Sequence, residues 1–266
     1  MRPWPLRRTP SYFVSSVDNT LRLLQLLRDV GEIRVKDAAA ELGVSPSTVH
    51  RLMSMLVFRG FAVQDESRTY FPGPSIGVEP IQLEGTRELR AAVKPHLTAL
   101  RDDVEESAYC MILAGRSIRF ILTVEAAYPA HAGDRHGLVL PAAGSAGGNA
   151  ILASLRPEEL SRLFSRAGQP AMTPVAYERL GLRLRLVRAR GYALSIQEVE
   201  SGIVSVAVPL RGNGQHPPAA VSISGPPHRL ENVTAPATIE RLTSARDDID
   251  RGLALVGTSG VPTGTT

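Results

Sequence analysis

Residues 34–71 constrain the fold more than any other part of the chain. Apolar residues recur there at the spacing of one helical face, and Gly43 follows where that helix must stop, because a residue without a Cβ adopts the left-handed conformation easily. Ser45 then suits a helix N-cap, and Pro46 suits the first helical position. A second apolar face repeats at i, i+3, i+4 and i+7, which predicts another helix ending near Arg59.

Two short strand-like runs follow the second helix and flank a polar turn. The runs cover residues 61–64 and 69–71, and the turn covers residues 65–68 with Arg68 at its tip. Two helices joined by a tight turn and followed at once by a hairpin predict a winged helix-turn-helix, whose second helix enters a DNA major groove. The alternative is a small fold of two helices and a hairpin that meets no nucleic acid.

The polar side of the second helix carries the groups expected to contact DNA. Hydroxyl, imidazole and guanidinium groups suit hydrogen bonds to base edges or to phosphates. We expect base or phosphate contacts from Ser47, Thr48, His50 and Arg51. Ser45 is expected to touch a phosphate beside its capping role, whereas Arg68 and Lys36 are expected to contact phosphates only.

Length and composition set further limits. A chain of 266 residues, 43% hydrophobic and 21% charged, is long enough for two globular domains. The formal net charge of +4 permits DNA binding without arguing for it. The single cysteine, Cys110, excludes an intrachain disulfide and suits a reducing cytoplasm. No segment is typical of a signal peptide or a membrane helix, so we expect a cytoplasmic protein with no membrane partner.

Enzymatic chemistry finds little support in the sequence. The six histidines show no metal-binding spacing such as HExxH, and no GxSxG nucleophile motif is present. Glycine-rich segments lack the lysine of a phosphate-binding loop. We therefore expect no catalytic residue, no metal and no cofactor, while a small-molecule enzyme in the C-terminal half stays as an alternative.

The C-terminal half combines strand-like runs with amphipathic helices. Two apolar runs joined by Gly115 and Arg116 predict a hairpin, and three more strand-like runs lie between residues 192 and 224. This pattern predicts an α+β fold with an antiparallel sheet. Residues 144–148 form a glycine-rich entry into a helix, which suits either an anion site at exposed amides or close packing of the helix start.

Two groups of residues carry a resemblance to a known family. The run from Ser47 to Leu52 and the triplet Arg59-Gly60-Phe61 resemble the DNA-binding domain of the IclR family of bacterial transcriptional regulators. The C-terminal half is similar to the GAF-like effector domain of that family, through Leu140-Pro141, Ser145, Gly148, residues 150–153, Gly191-Tyr192, Glu198, Gly202 and residues 222–226. The resemblance covers about residues 14–255.

The resemblance implies a ligand-responsive regulator, a repressor or an activator, that works as a homodimer or homotetramer on a double-stranded DNA operator. Carried over by position, the effector pocket is lined by Ala146, Gly147, Ser195, Ser205, Ser222 and Ser224. Amides and hydroxyls suit a small carboxylate or hydroxylated metabolite held by hydrogen bonds rather than by a counter-ion. Family members often carry charged or thiol groups where this chain has Ala143, Asn149, Ser195 and Ser205, which implies a more neutral pocket. A degenerate pocket that binds nothing is the alternative.

These expectations divide the chain into five segments. They are a disordered basic arm over residues 1–13, a winged helix-turn-helix domain over 14–76, a linker and connecting helix over 77–105, a GAF-like effector-binding domain over 106–256, and a disordered tail over 257–266. The predicted fold class is α+β.

Overall fold

The computed structural model describes residues 12–65, 67–73, 75–76, 85–128, 133–165, 172–212, 214 and 216–258. The chain divides into two compact units, Met1–Gly77 and Val78–Thr266. Most of the expected basic arm and most of the expected tail lie outside the described residues.

Three helices and a hairpin build the N-terminal unit. They are α1 (Ser15–Val30), α2 (Val35–Leu42), α3 (Pro46–Phe58), β1 (Ala62–Gln64) and β2 (Tyr70–Pro72). The two strands pair antiparallel, with Val63 opposite Phe71. The predicted helix-turn-helix and its hairpin are confirmed.

Local sequence signals explain where α2 and α3 end and begin. Gly43 takes the left-handed conformation with φ 68°, and its N–H donates to the carbonyl of Ala39, which closes α2. The Ser45 hydroxyl then accepts a hydrogen bond from the Thr48 amide and caps α3. Arg34 precedes α2 and provides no side-chain cap for it.

The core of this unit fixes which side of α3 faces outward. Val49 and Met53 of α3 are fully buried together with Leu23 and Leu27 of α1. Because these positions share one helical face, the opposite face of α3 is left for solvent.

A six-stranded sheet with helices on both sides forms the C-terminal unit. Its strands are β3 (Ser107–Ala114), β4 (Ser117–Val124), β5 (Val139–Pro141), β6 (Ala193–Ile196), β7 (Val204–Pro209) and β8 (Ala219–Gly225). Its helices are α4 (Thr86–Val104), α5 (Ala146–Ser154), α6 (Pro157–Ser165), α7 (Pro174–Arg190), α8 (Leu230–Thr234), which follows a 3-10 turn over Pro227–Arg229, and α9 (Pro236–Thr258). The strand order is β5-β4-β3-β8-β7-β6, and every neighbouring pair is antiparallel. The α+β prediction is confirmed, and α9 runs two residues beyond the expected domain end at residue 256.

Alternation along the strands assigns side chains to two cores. On β3, Ala108, Cys110 and Ile112 pack with α4 and α9, whereas Tyr109 and Met111 pack with α5, α6 and α7. The candidate ligand site lies on the second of these faces.

Candidate functional site

The solvent-facing side of α3 presents the polar groups expected to contact DNA. Within the N-terminal unit, Ser47, His50 and Arg51 are exposed and Thr48 is half-buried. The helix has 13 residues. At 1.5 Å per residue that is about 20 Å, a length that fits a major groove. This side of α3 is therefore accessible in the unit that carries it.

Ser45 joins the hydroxyl groups at the start of α3. Its Oγ lies 2.9 Å from Ser47 Oγ and 2.9 Å from Thr48 Oγ1, in addition to accepting from the Thr48 amide. Ser45 is exposed, so the capping hydroxyl also faces solvent. A phosphate at this position would meet hydroxyls and the positive end of a helix together.

The hairpin turn holds Arg68 at its tip. Arg68 is exposed and adopts the left-handed conformation, φ 63°. The Asp65 carboxylate accepts hydrogen bonds from the Thr69 amide at 2.8 Å and from the Ser67 hydroxyl at 2.8 Å, and the Thr69 bond contributes most to lowering the pKa of Asp65. Arg68 is therefore exposed to solvent at the tip of the hairpin, which forms the wing of the winged helix-turn-helix. Lys36 is exposed on α2.

A cavity of about 30 Å³ lies between the sheet and the start of α5. The structure brings all of the expected effector-pocket positions to its wall, namely Ala146, Gly147, Ser195, Ser205, Ser222 and Ser224. Met111, Ile118 and Phe120 add an apolar side to the cavity. One site therefore combines hydroxyl groups, a helix N-terminus and an apolar wall, which is the usual make-up of a small-molecule pocket.

Antiparallel register places the serines beside one another. Ser195 pairs with Ser205 on the neighbouring strand, and Ser205 pairs in turn with Ser224. The Ser205 and Ser224 hydroxyls lie 2.7 Å apart. Ser222 is two residues before Ser224 and so points to the same side of the sheet.

The glycine-rich entry into α5 serves close packing. A Cβ on Gly147 would lie 1.8 Å from the sulfur of Met111, and one on Gly148 would lie 2.1 Å from the carbonyl oxygen of Ala142. The Ser145 hydroxyl caps the helix by accepting from the Gly148 amide. Close packing was one of the two interpretations of this segment, and it does not exclude the other, because Ala146 and Gly147 also line the cavity.

The pocket also holds a charged pair that the sequence interpretation missed. Arg135 and Glu200 both line the cavity and form a hydrogen-bonded ion pair there. The expectation of a more neutral pocket did not include this pair, which places a guanidinium and a carboxylate in the cavity wall. Whether a counter-ion holds the ligand stays a prediction. Both residues lie in loops 65 positions apart, and the only local signal is their closeness to the Leu140-Pro141 and Glu198 motifs.

Burial of Tyr109 and Cys110 argues against either residue as a nucleophile. Burial raises the pKa of Tyr109 to about 12, opposed in part by the charge of Arg135. Burial likewise raises the pKa of the Cys110 thiol to about 12, and such a thiol is inert at neutral pH. Among the described residues, no cluster of His, Cys, Asp and Glu could hold a metal, and no helix could cross a membrane.

Comparison with known proteins identifies the family. The family described as the bacterial transcriptional regulator IclR C-terminal domain matches residues 83–251, and the IclR helix-turn-helix domain matches residues 16–66. The chain belongs to the IclR family. IclR-type proteins are DNA-binding transcriptional regulators and not enzymes. The expected family, function class and lack of enzymatic activity are therefore confirmed.

Relatives share most of the chain at moderate identity. The HTH-type transcriptional regulator XynR of Escherichia coli K12 is 30% identical over 254 residues, which cover 94% of this chain and 98% of XynR. The transcriptional repressor IclR of the same organism is 28% identical over 227 residues, 82% of each chain. The match thus extends through both units.

Solved IclR structures share the fold. The IclR family regulator of Brucella abortus superimposes with a TM-score of 0.56 at 25% identity and covers 91% of this chain and 93% of that one. An IclR homologue of Microbacterium hydrocarbonoxydans complexed with 4-hydroxybenzoate has a TM-score of 0.55 at 22% identity, with 91% and 98% covered.

Proposed function

We propose that this IclR-family regulator binds its operator through α3 and the wing, and that a small carboxylate or hydroxylated metabolite in the serine-lined cavity changes that binding. One observation carries the proposal: all six positions expected in an effector pocket line a single cavity. The solved homologue that holds 4-hydroxybenzoate, a hydroxylated carboxylate, supports this ligand class. A ligand acts by binding one arrangement of the protein more tightly than another.

The DNA contacts divide by chemistry. The exposed polar side of α3 carries the candidates for base or phosphate contacts, which are Ser47, Thr48, His50 and Arg51. Ser45 contacts a phosphate at the N-terminus of α3, and the wing residue Arg68 and Lys36 of α2 contact phosphates without reading sequence.

A homodimer or homotetramer is the proposed assembly, acting in the cytoplasm. A single winged module addresses about half a site and gives modest specificity, so two copies on paired half-sites are needed for a selective operator. The proposed segments are those expected from the sequence, with the winged domain over residues 14–76 and the effector domain over residues 106–256.

A mobility shift on the DNA that flanks the gene of this protein tests the DNA contacts. Arg51→Ala is expected to weaken operator binding by about 1–3 kcal/mol and to relax its sequence preference, because a base contact is lost. Arg28→Ala is the control, since Arg28 is also an exposed arginine of the N-terminal unit but lies on α1, paired with Asp29. Equal affinity of the Arg51 and Arg28 variants would contradict the assignment of α3.

The wing is tested by salt dependence. Arg68→Ala is expected to weaken binding to all DNA sequences alike and to reduce the slope of log affinity against log salt by about one, because one phosphate contact is lost. A loss confined to one DNA sequence would contradict a backbone contact.

A regulator without an effector is the second candidate, because the cavity is small. Its free volume is about 30 Å³. This candidate predicts that operator affinity is unchanged by every organic acid tested.

A further inference from the structure

The Arg135–Glu200 ion pair lies in the cavity wall on the side of the loop between β6 and β7. Both residues line the cavity, and among the described residues of its wall they are the only charged ones. The Arg135 side chain is 6% exposed and the Glu200 side chain is 28% exposed. Glu200 is the less buried partner, so breaking the pair by moving Glu200 costs less free energy, because its carboxylate is more easily hydrated.

Arg135 is held in place independently of Glu200. Its backbone amide donates to the Thr123 hydroxyl, and its carbonyl accepts from the Leu138 amide at 2.9 Å. Its guanidinium carbon lies 5.4 Å from the centre of the Tyr109 ring and 5.5 Å from the centre of the Phe120 ring. The positive group therefore keeps its position when its carboxylate partner is exchanged.

Glu200 lies near the tip of a loop that is fastened at its base. The Gln197 amide donates to the Ile203 carbonyl, and the Gly202 amide donates to the Gln197 side chain at 3.0 Å. Glu198 forms an ion pair with Arg183 on α7 at 2.9 Å. Because these contacts do not involve Glu200, the tip can move while the base of the loop stays in place.

An organic acid that pairs with Arg135 must take the place that the Glu200 carboxylate occupies. The cavity has a free volume of about 30 Å³, and a lactate ion alone has six non-hydrogen atoms. Removing Glu200 from Arg135 would take away the carboxylate that pairs with this buried guanidinium, which is unfavourable. A ligand carboxylate restores the missing charge.

We propose that Glu200 is an internal carboxylate that occupies Arg135 until the carboxylate of the effector takes its place. This inference rests on the proposed effector site and narrows its ligand to a carboxylate that also offers groups to the serine hydroxyls. The exchange keeps the pocket electrically balanced, with Arg135 paired before and after. It also releases the tip of the β6–β7 loop, so binding is coupled to a local change in the effector unit.

Isothermal titration calorimetry on the full-length protein tests the exchange with matched probes. The probes are lactate with lactamide and 4-hydroxybenzoate with 4-hydroxybenzamide, each titrated to about 10 mM so that millimolar affinities are detected. Each amide keeps the shape of its acid but carries no negative charge. The variants are Glu200→Gln, Arg135→Met and, as the control, Glu198→Gln, which makes the same change on the same loop outside the cavity wall.

At least one acid is expected to bind, and its amide is expected to bind at least about tenfold more weakly. Glu200→Gln is expected to tighten acid binding by about tenfold, because the acid no longer competes with a carboxylate for Arg135. Arg135→Met should abolish the preference for acid over amide, and Arg135→Lys, which keeps the charge, should restore part of it. The Glu198→Gln control should bind like the wild type.

An acid that binds only the Glu200→Gln variant also supports the exchange, because it shows that Glu200 outcompetes the probe in the wild type. Equal binding of acid and amide overturns the proposal, as does weaker or unchanged acid binding by Glu200→Gln. Absence of binding to both proteins overturns it too. The operator mobility shift separates these failures from that of the proposed DNA-binding contacts, because it needs no effector.

Discussion

The same substitution, glycine to alanine, should have opposite effects at two helical positions of the C-terminal unit. Gly148 lies in the first turn of α5, where an added Cβ would stand 2.1 Å from the Ala142 carbonyl oxygen and 2.5 Å from the Ala142 Cα. Backbone atoms cannot rotate away, so α5 must shift outward. The shift strains the cap as well, because the Gly148 amide donates to the Ser145 hydroxyl at 3.1 Å.

The magnitude follows from these two contributions. Overpacking in a filled core costs about 1–3 kcal/mol, and loss of a serine cap costs about 1 kcal/mol. Gly148→Ala should therefore reduce the free energy of unfolding by about 3 kcal/mol, which lowers Tm by about 6–12 °C for a unit of this size. Gly181→Ala on α7 should instead raise the free energy of unfolding by up to about 1 kcal/mol, because alanine has a higher helix propensity than glycine. A Cβ added at Gly181 would have room, because its nearest neighbour is the flexible end of the Arg185 side chain, at 4.0 Å.

Differential scanning calorimetry of the full-length protein measures both variants, since it can separate the transitions of the two units. The Gly148 variant should also lose any effector binding, because its helix start lines the cavity. If Gly148→Ala leaves Tm within about 1 °C of the wild type, the close packing of α5 on Ala142 is refuted as the reason for the glycine.

Three further predictions concern single groups. Ser45→Ala should reduce the stability of the N-terminal unit by about 1 kcal/mol in the same calorimetric experiment, whereas Ser54→Ala should be nearly neutral because Ser54 only bonds back to a carbonyl of its own helix. Asp65 has a pKa below its ordinary value in the folded hairpin, because its carboxylate accepts a hydrogen bond from the Thr69 amide. The stabilisation from this bond is complete above the unfolded-state pKa and is lost as pH falls through the folded-state pKa. Carbon-13 NMR titration of the carboxyl group should show the depressed pKa, and a midpoint at or above the ordinary value would contradict it. Native Cys110 should resist iodoacetamide at pH 8 and react fully in denaturant, as measured by mass spectrometry, because it is fully buried with a raised pKa.

The DNA-binding unit was predictable because its signals are local. The left-handed Gly43, the Ser45 cap and the apolar spacing of α3 each act within a few residues, and the structure shows each of them as the sequence indicates. Tertiary contacts then change details only, such as the exact ends of the two wing strands.

The sheet was predictable in kind but not in order. Alternation of apolar residues predicts strands, yet it does not show that β3 pairs with β8 across more than 100 residues of chain. The serines of the cavity could be named only through the family resemblance, because their meeting depends on that pairing. Once the register is known, the alternation of side chains along a strand places Ser205, Ser222 and Ser224 on one face of the sheet.

The charged pair shows what a residue-by-residue carry-over left out of the chemistry of the pocket. The sequence interpretation considered only the charges that this chain lacks at Ala143, Asn149, Ser195 and Ser205. A ligand interacts with every group that faces the cavity, including groups at other positions. Hydroxyl groups both donate and accept, so serines alone would bind neutral amides and alcohols about as well as acids. A buried guanidinium favours an anion over a neutral group, because an uncompensated buried charge is strongly unfavourable. In the proposed exchange, selectivity for an acid depends on Arg135, and the acid has to displace the Glu200 carboxylate from it.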